Sequence, residues 1–142
     1  MRNTATMIDP KAILSKAPVF ASFAVKDIDL ARKFYGGTLG LDVREDKDMG
    51  ILEIHSPDKS HVLVYPKPDH QPAVFTVLNL QVRDIDEIVD ALTSAGLKFE
   101  RYNTDDIKTD NKVARGEKQG PSIAWFRDPS GNIVSVMEGD RS

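Results

Sequence analysis

At 142 residues the chain has the length of one domain, enough to bury about two thirds of the surface its unfolded form exposes without covalent staples. Its 22 acidic and 19 basic residues give a formal net charge of −3, so no basic face for nucleic acid is expected. It contains no cysteine, which excludes disulfides, thiolate metal sites and cysteine nucleophiles, and no apolar stretch long enough to span a bilayer.

Residues 1–17 read as an N-terminal extension. They carry Asp9, Lys11 and Lys16 and no apolar core, so they do not read as a secretory signal, and a cytoplasmic protein is expected. Asp9 followed by Pro10 marks the start of a short helix, one that could pack on a partner copy. An apolar run over 18–25 predicts the first strand. It ends at Lys26-Asp27, where Asp27 can accept hydrogen bonds from the free N–H groups of a helix. Ile28, Ala31, Phe34, Tyr35 and Leu39 then recur at helical spacing, and Gly36, Gly37 and Gly40 end that helix. Three strands follow over 41–46, 50–55 and 61–65, the last two joined by a hairpin loop at 56–60. Pro66, Pro68 and Pro72 make 65–73 a stiff linker.

The pattern then restarts. Residues 74–82 predict a strand. Ile85, Ile88, Val89, Leu92 and Ala95 form a helical stripe that closes at Gly96, and 97–102 is extended. Residues 103–119 are polar and aperiodic, a long loop of the kind that serves as a lid or binding loop; Lys112 and Arg115 within it are candidates to meet an anionic ligand. Strands over 123–126 and 132–138 close the chain across the turn Asp128-Pro129-Ser130-Gly131. Val25-Lys26-Asp27-Ile28-Asp29 and Val82-Arg83-Asp84-Ile85-Asp86 match, each following a strand and opening a helix. The recurrence predicts two βαβββ modules, 18–67 and 73–139, in one domain over 18–139.

These residues bring a family into view. Strand, Val25-Lys26-Asp27, Ala31-Arg32-Lys33-Phe34-Tyr35 and Leu39-Gly40-Leu41 resemble the first module of the vicinal oxygen chelate (glyoxalase/bleomycin-resistance/dioxygenase) superfamily. Residues 123–138, with their Asp-Pro-Ser-Gly turn, resemble its closing hairpin. The resemblance implies an α+β fold in which the two modules form a cupped mixed β-sheet with helices on the outer face. It implies a homodimer and, in metal-dependent members, one ligand from the first and one from the last strand of each half. Carried onto this chain those positions are Phe20, Leu63, Val77 and Ser135, none of them a usual metal ligand.

Strand parity places Phe20, Ser22, Val77, Asn79, Gln81 and Ser135 inside the cup, with Glu53, His55, His61, Leu63 and Tyr65 there or at its rim. Trp125 and Tyr65 are candidates to stack on a ligand. An apolar cavity with a few amides and hydroxyls suits a small, largely apolar organic molecule bound without a metal. Two alternatives stay open. One is a lyase, isomerase or dioxygenase using one divalent metal on displaced ligands Glu53, His55 and His61. The other is a metal-free enzyme with His70 or Tyr65 as acid or base.

Overall fold

A computed structural model describes residues 8–110, 112–116 and 121–139, so the expected extension and long loop each fall partly outside the described residues. The first module runs β1 (Ala21–Val25), α2 (Ile28–Arg32), β2 (Asp42–Asp46), β3 (Ile51–His55) and β4 (His61–Pro66), preceded by a short helix α1 (Pro10–Leu14). The second runs β5 (Thr76–Val82), α3 (Ile85–Ser94), β6 (Ile123–Arg127) and β7 (Ile133–Glu138). The sheets have strand orders β1-β4-β3-β2 and β5-β7-β6. In each, the first strand of the module lies parallel to its last, and the other pairings are antiparallel. This is the expected mixed α+β architecture.

The two matching pentapeptides act as helix starts. Asp27 accepts from the backbone N–H of Asp29 and Leu30 at 3.0 and 3.1 Å, and Asp84 from that of Glu87 at 3.1 Å. Each satisfies donors that a helix N-terminus leaves without partners. The first of these helices differs from its expected form: α2 stops at Arg32 and continues as a widened π turn over Lys33–Thr38, with Leu39 N bonded to Phe34 O at 2.9 Å. Two consecutive glycines, Gly36 and Gly37, lower the resistance of the backbone to that widening. Phe34 and Tyr35, adjacent in sequence, both enter the core, where Phe34 meets Phe126 and Tyr35 meets Phe23.

The extended stretch 97–102 does not become a strand. Phe99 makes one antiparallel bridge to Phe126, and Glu100 N donates to Trp125 O at 2.8 Å. Beyond that, Tyr102 gives both its backbone groups to Thr109, its N–H to the hydroxyl and its carbonyl to the backbone N–H, so they are lost to β6. Ala114, bonded both ways to Ile123, covers the other end of the same β6 edge. The free edge is thus shielded by two separate pieces of chain instead of one strand, which still protects it from pairing with other chains.

Alternation buries Phe23, Val25, Leu52, Ile54 and Val64 on the helix side as expected, but Ala21, expected on that side, is exposed, and Ser135, expected in the cup, is fully buried. Phe23, Val25, Leu52, Ile54, Val64, Ala124, Phe126, Val134 and Val136 are all buried and join Ala31, Tyr35, Ile85, Val89 and Leu92 of the helices in one hydrophobic cluster spanning both modules.

Asp128, in the turn between β6 and β7, ties the modules at their junction. Its carboxylate accepts from Tyr35 Oη at 2.7 Å, from the backbone N–H of Ser130 and Asn132 at 2.9 and 2.8 Å, and from Asn132 Nδ2 at 3.1 Å. Asn132 Nδ2 also donates to Ala24 O of β1 at 2.8 Å. Asp128 is buried, so its ionised form needs this full shell of donors. Burial, then the Asp128 charge and its hydrogen bond, push the Tyr35 phenol well above the usual tyrosine range and keep it a donor.

Tyr35→Phe removes one donor to a buried carboxylate and is expected to lower unfolding free energy by about 1–3 kcal/mol, read from the urea midpoint at constant m. The same phenol sets an alkaline limit. Above about pH 10 the unfolded chain releases a proton that the folded chain keeps, so wild-type stability falls as pH rises through that range. Denaturation curves between pH 8 and 11 should therefore show a shallower alkaline loss in Tyr35→Phe than in wild type; equal slopes would contradict the assignment.

Candidate functional site

The opposite, concave face carries the mixed side chains. Register places Ser22 beside Leu63 and Ala24 beside Tyr65, while Glu53 lies beside Leu63 and His55 beside His61. In the second sheet Asn79 and Trp125 both flank Ser135, and Gln81 lies beside Met137. A register shift between Thr76 and Leu78 inserts Val77 as an extra residue at the start of β5. Thr76 accordingly reaches the Trp125 face, where its Oγ1 accepts from Trp125 Nε1 at 3.2 Å.

A cleft of about 620 Å³ opens where β1, the linker and the start of β5 meet. Ser22, Tyr65 and Val77 line it, as do Ala21, Ala24 and Phe75. His70, an acid/base candidate from the sequence, lines it too. The other expected contacts lie elsewhere. Phe20, 54 % exposed, stacks on His61 at 5.2 Å, and Leu63 is half-buried mid-sheet. Ser135 has no exposed surface and donates its hydroxyl to Asn79 Oδ1 at 2.6 Å. Gln81 packs over Gly139 at the sheet end, and Trp125 meets Tyr102 edge-on. Sequence reasoning missed Lys67, Gln71, Phe75, Thr76 and Asn132 as lining residues. The linker, expected to be stiff, is tied back by Lys67 N bonded to Val25 O at 2.9 Å and His70 N bonded to Lys67 O at 2.9 Å. The chain therefore turns at Pro68-Asp69 and folds along β1. That Pro-Asp pair was the available signal, since proline at the second position of a four-residue turn is favoured.

The family's four metal-ligand positions hold two hydrocarbons with no donor atom (Leu63 and Val77), a phenyl ring stacked on His61, and a hydroxyl bonded to Asn79. These residues do not fit a resident metal. Glu53, His55 and His61 form a column instead of a converging set. Glu53 Oε1 lies 2.8 Å from His55 Nε2, and the two imidazoles stack at 5.5 Å. Among the described residues no three His, Cys, Asp or Glu side chains group as a metal site. Next to the column, Asp42 and Arg44 pair at 3.1 Å, and the Arg44 hydrogen bond holds the Asp42 carboxyl below its usual range.

The described part of the long loop lies on the α3 side. Arg115 makes a two-pronged contact to Asp86, 2.7 and 3.0 Å, and reaches Asp110 at 3.2 Å, while Lys112 Nζ donates to Thr93 Oγ1 of α3 at 3.0 Å. The Arg115 hydrogen bond holds the Asp86 carboxyl below the usual carboxylate range. Neither cation faces the cleft, so the expected role of this loop toward an anionic ligand finds no support in its placement.

With fold and cleft described, comparison with known proteins decides the family. The model of the Glyoxalase/Bleomycin resistance protein/Dioxygenase superfamily matches residues 18–136. The chain belongs to this superfamily. Solved structures agree in fold. A glyoxalase family protein from Bacillus anthracis superposes with TM-score 0.66 at 20% identity, covering 99% of this chain and 100% of that one. Lactoylglutathione lyase from Agrobacterium tumefaciens gives 0.61 at 19%, covering 87% and 94%. TnmS3, an antibiotic binding protein from Streptomyces sp. CB03234, gives 0.61 at 21%, covering 88% and 98%. No curated protein matches the sequence. At these identities the likenesses show the fold of the superfamily and no particular activity.

Because Arg115 pins the loop to α3, Asp86→Asn should speed thermolysin cleavage within 103–116 several-fold, read by mass spectrometry of the fragments. Global stability should shift by less than about 0.5 kcal/mol, since the pair is solvent-exposed. Unchanged cleavage would mean that the ion pair does not hold the loop.

Proposed function

We propose that this superfamily member binds a small, largely apolar organic molecule in the cleft between β1, the linker and β5, without a resident metal, as a cytoplasmic homodimer. The observation that carries the reading is the cleft itself. At about 620 Å³ it matches the size of small-molecule sites, and alanines and aromatics line it beside a few hydroxyl and amide groups. Phe20, Leu63, Val77 and Ser135 support binding without a metal, because none offers a free donor of the usual kind. Among the described residues no helix is long and apolar enough to cross a membrane, consistent with a protein that meets its ligand in solution. Tyr65 and His70 both line the cleft, and simple recognition of a ligand there requires no chemical step.

Trp125 is the single tryptophan, and its indole is bonded to Thr76 at the cleft wall. Titration with aromatic probes should therefore change its fluorescence saturably. Ser22→Phe, placing a ring in the cleft from an exposed strand position, should weaken that binding at least about tenfold with an unchanged circular dichroism spectrum. Full affinity in Ser22→Phe would move the site elsewhere.

Purified untagged protein dialysed against divalent metals should retain far less than one metal per chain. A stoichiometric metal lost in His55→Ala would favour the Glu53, His55, His61 alternative. Light scattering should give about twice the 15.8 kDa chain mass; a monomer would sink the dimer part of the proposal alone.

A further inference from the structure

The wall that β1 gives to the cleft is the edge of a sheet. β1 is the outermost strand of its sheet and pairs with β4 alone. Along a paired strand, the main-chain groups of successive residues point alternately toward the neighbouring strand and away from it. In β1 the odd-numbered residues face β4, since Val25 O accepts from Lys67 N at 2.9 Å just past the end of β4. The even-numbered residues face away, and the second module meets two of them with side chains. Asn132 Nδ2 donates to Ala24 O at 2.8 Å, and Ser130 Oγ accepts from Lys26 N at 2.8 Å. Ser22 is the next position on that same edge. It is exposed and lines the cleft. By the same alternation its N–H and C=O turn away from β4, and among the described residues neither has a protein partner. Other polar groups of the lining are already committed: Asn132 to Ala24 and Asp128, Thr76 Oγ1 to the Trp125 indole, and Lys67 to Asp69.

We propose that the β1 edge at Ser22 is the recognition element of this cleft and that its ligand is a small, uncharged, peptide-like molecule: an apolar residue flanked by two amides, extended along β1. Its N–H donates to Ser22 O, and its C=O accepts from Ser22 N–H. An unpaired strand edge takes up an extended segment through main-chain bonds of this kind. The protein already makes one such bond itself, because the Asn132 carboxamide docks on Ala24 O one step along the same edge. The apolar side chain of the ligand follows from the other walls. Phe75 is 66 % exposed and Tyr65 38 %, and Ala73 and Val77 line the cleft with them. The absence of charge follows from Lys67 and Asp69, the lysine and carboxylate of the lining, which satisfy each other. At about 620 Å³ the cleft has the size of a small-molecule site, which suits a short amide and not a folded partner.

The inference rests on the binding reading above, and a matched pair of probes separates the two. N-acetyl-L-phenylalanine N-methylamide carries the N–H that Ser22 O would accept. Its ester counterpart, with oxygen in place of that one N–H, keeps the size, the ring and the second amide. Dissociation constants would be measured through Trp125 fluorescence on the full chain, with ¹H–¹⁵N spectra following the β1 amides. The expected result is that the amide binds about tenfold more tightly than the ester. The Ser22 amide signal should move several-fold further on binding than those of Phe23 and Val25, its neighbours along β1. Ser22→Pro removes an N–H that β4 does not use, a substitution that strand edges accept, and should weaken binding of both probes about tenfold. The probe pair and the spectra use the wild-type chain, so they decide the question even where proline perturbs β1. Equal affinity of the two probes, or Phe23 and Val25 signals that move as far as that of Ser22, overturns pairing at the strand edge and leaves the apolar cleft standing. Binding of neither probe, with the aromatic titration above still saturable, overturns the peptide-like ligand alone. Failure of both titrations overturns the cleft as the site.

Discussion

The structure depends on one buried carboxylate. Asp128 belongs to the second module, yet its phenolic donor comes from the first, and through Asn132 it reaches the β1 backbone at Ala24. Without that shell, burying the charge would be strongly unfavourable, so the turn, Tyr35 and β1 must arrive together. The widened turn after α2 is part of the same constraint. It lets Phe34 and Tyr35 both point inward, the first against Phe126 and the second with its hydroxyl on Asp128. The hydrophobic cluster supplies most of the driving force, but it is non-directional. The Asp128 shell adds directional hydrogen bonds where the two modules meet.

The cleft adjoins this junction. Asn132 lines it while bonded to Asp128, Pro72 of the linker rests on Gly131 of the same turn, and Ser130 Oγ accepts from Lys26 N at 2.8 Å at the end of β1. The cleft and the structural junction are therefore one piece of architecture seen from its two sides. Changes at the junction are expected to reach the cleft through short, direct contacts, with no need for a long-range pathway.

Much of the fold was legible because it rests on local rules. Asp27 and Asp84 cap helices, Gly131 turns the closing hairpin, and alternation put Phe23, Val25, Leu52, Ile54 and Val64 in the core, although Val62 on the same face is only half-buried and Ala21, assigned to that side, is exposed. What failed was set by competition between distant segments. Residues 97–102 have strand-like composition, but Thr109 captures Tyr102 and Ala114 takes the remaining edge of β6. No periodicity records such an exchange. The candidate site was legible only in part for a related reason. Parity says which face a side chain occupies, and it placed Ser22 and Asn79 on the concave face. It does not say where along that face the chain leaves an opening. The opening follows from the extra residue at Val77 and from the fold-back of the linker, both tertiary in origin.

Within the superfamily this chain keeps the framework and changes what the framework can hold. A metal site needs several donors free to converge on one ion, with their other partners arranged around them. Here Phe20 is stacked on His61, Ser135 is bonded to Asn79, and the one histidine–carboxylate contact in the first sheet joins His55 to Glu53 within a single strand. The side chains around the old positions are thus engaged with one another. Placing donors back at Leu63 or Val77 alone would leave these neighbours in their present pairs. The poor fit of these positions to a metal is consequently a property of the surrounding pairs as well as of the four residues themselves. Under the binding reading proposed above, recognition would rest on the shape of the cleft and on its few polar side chains.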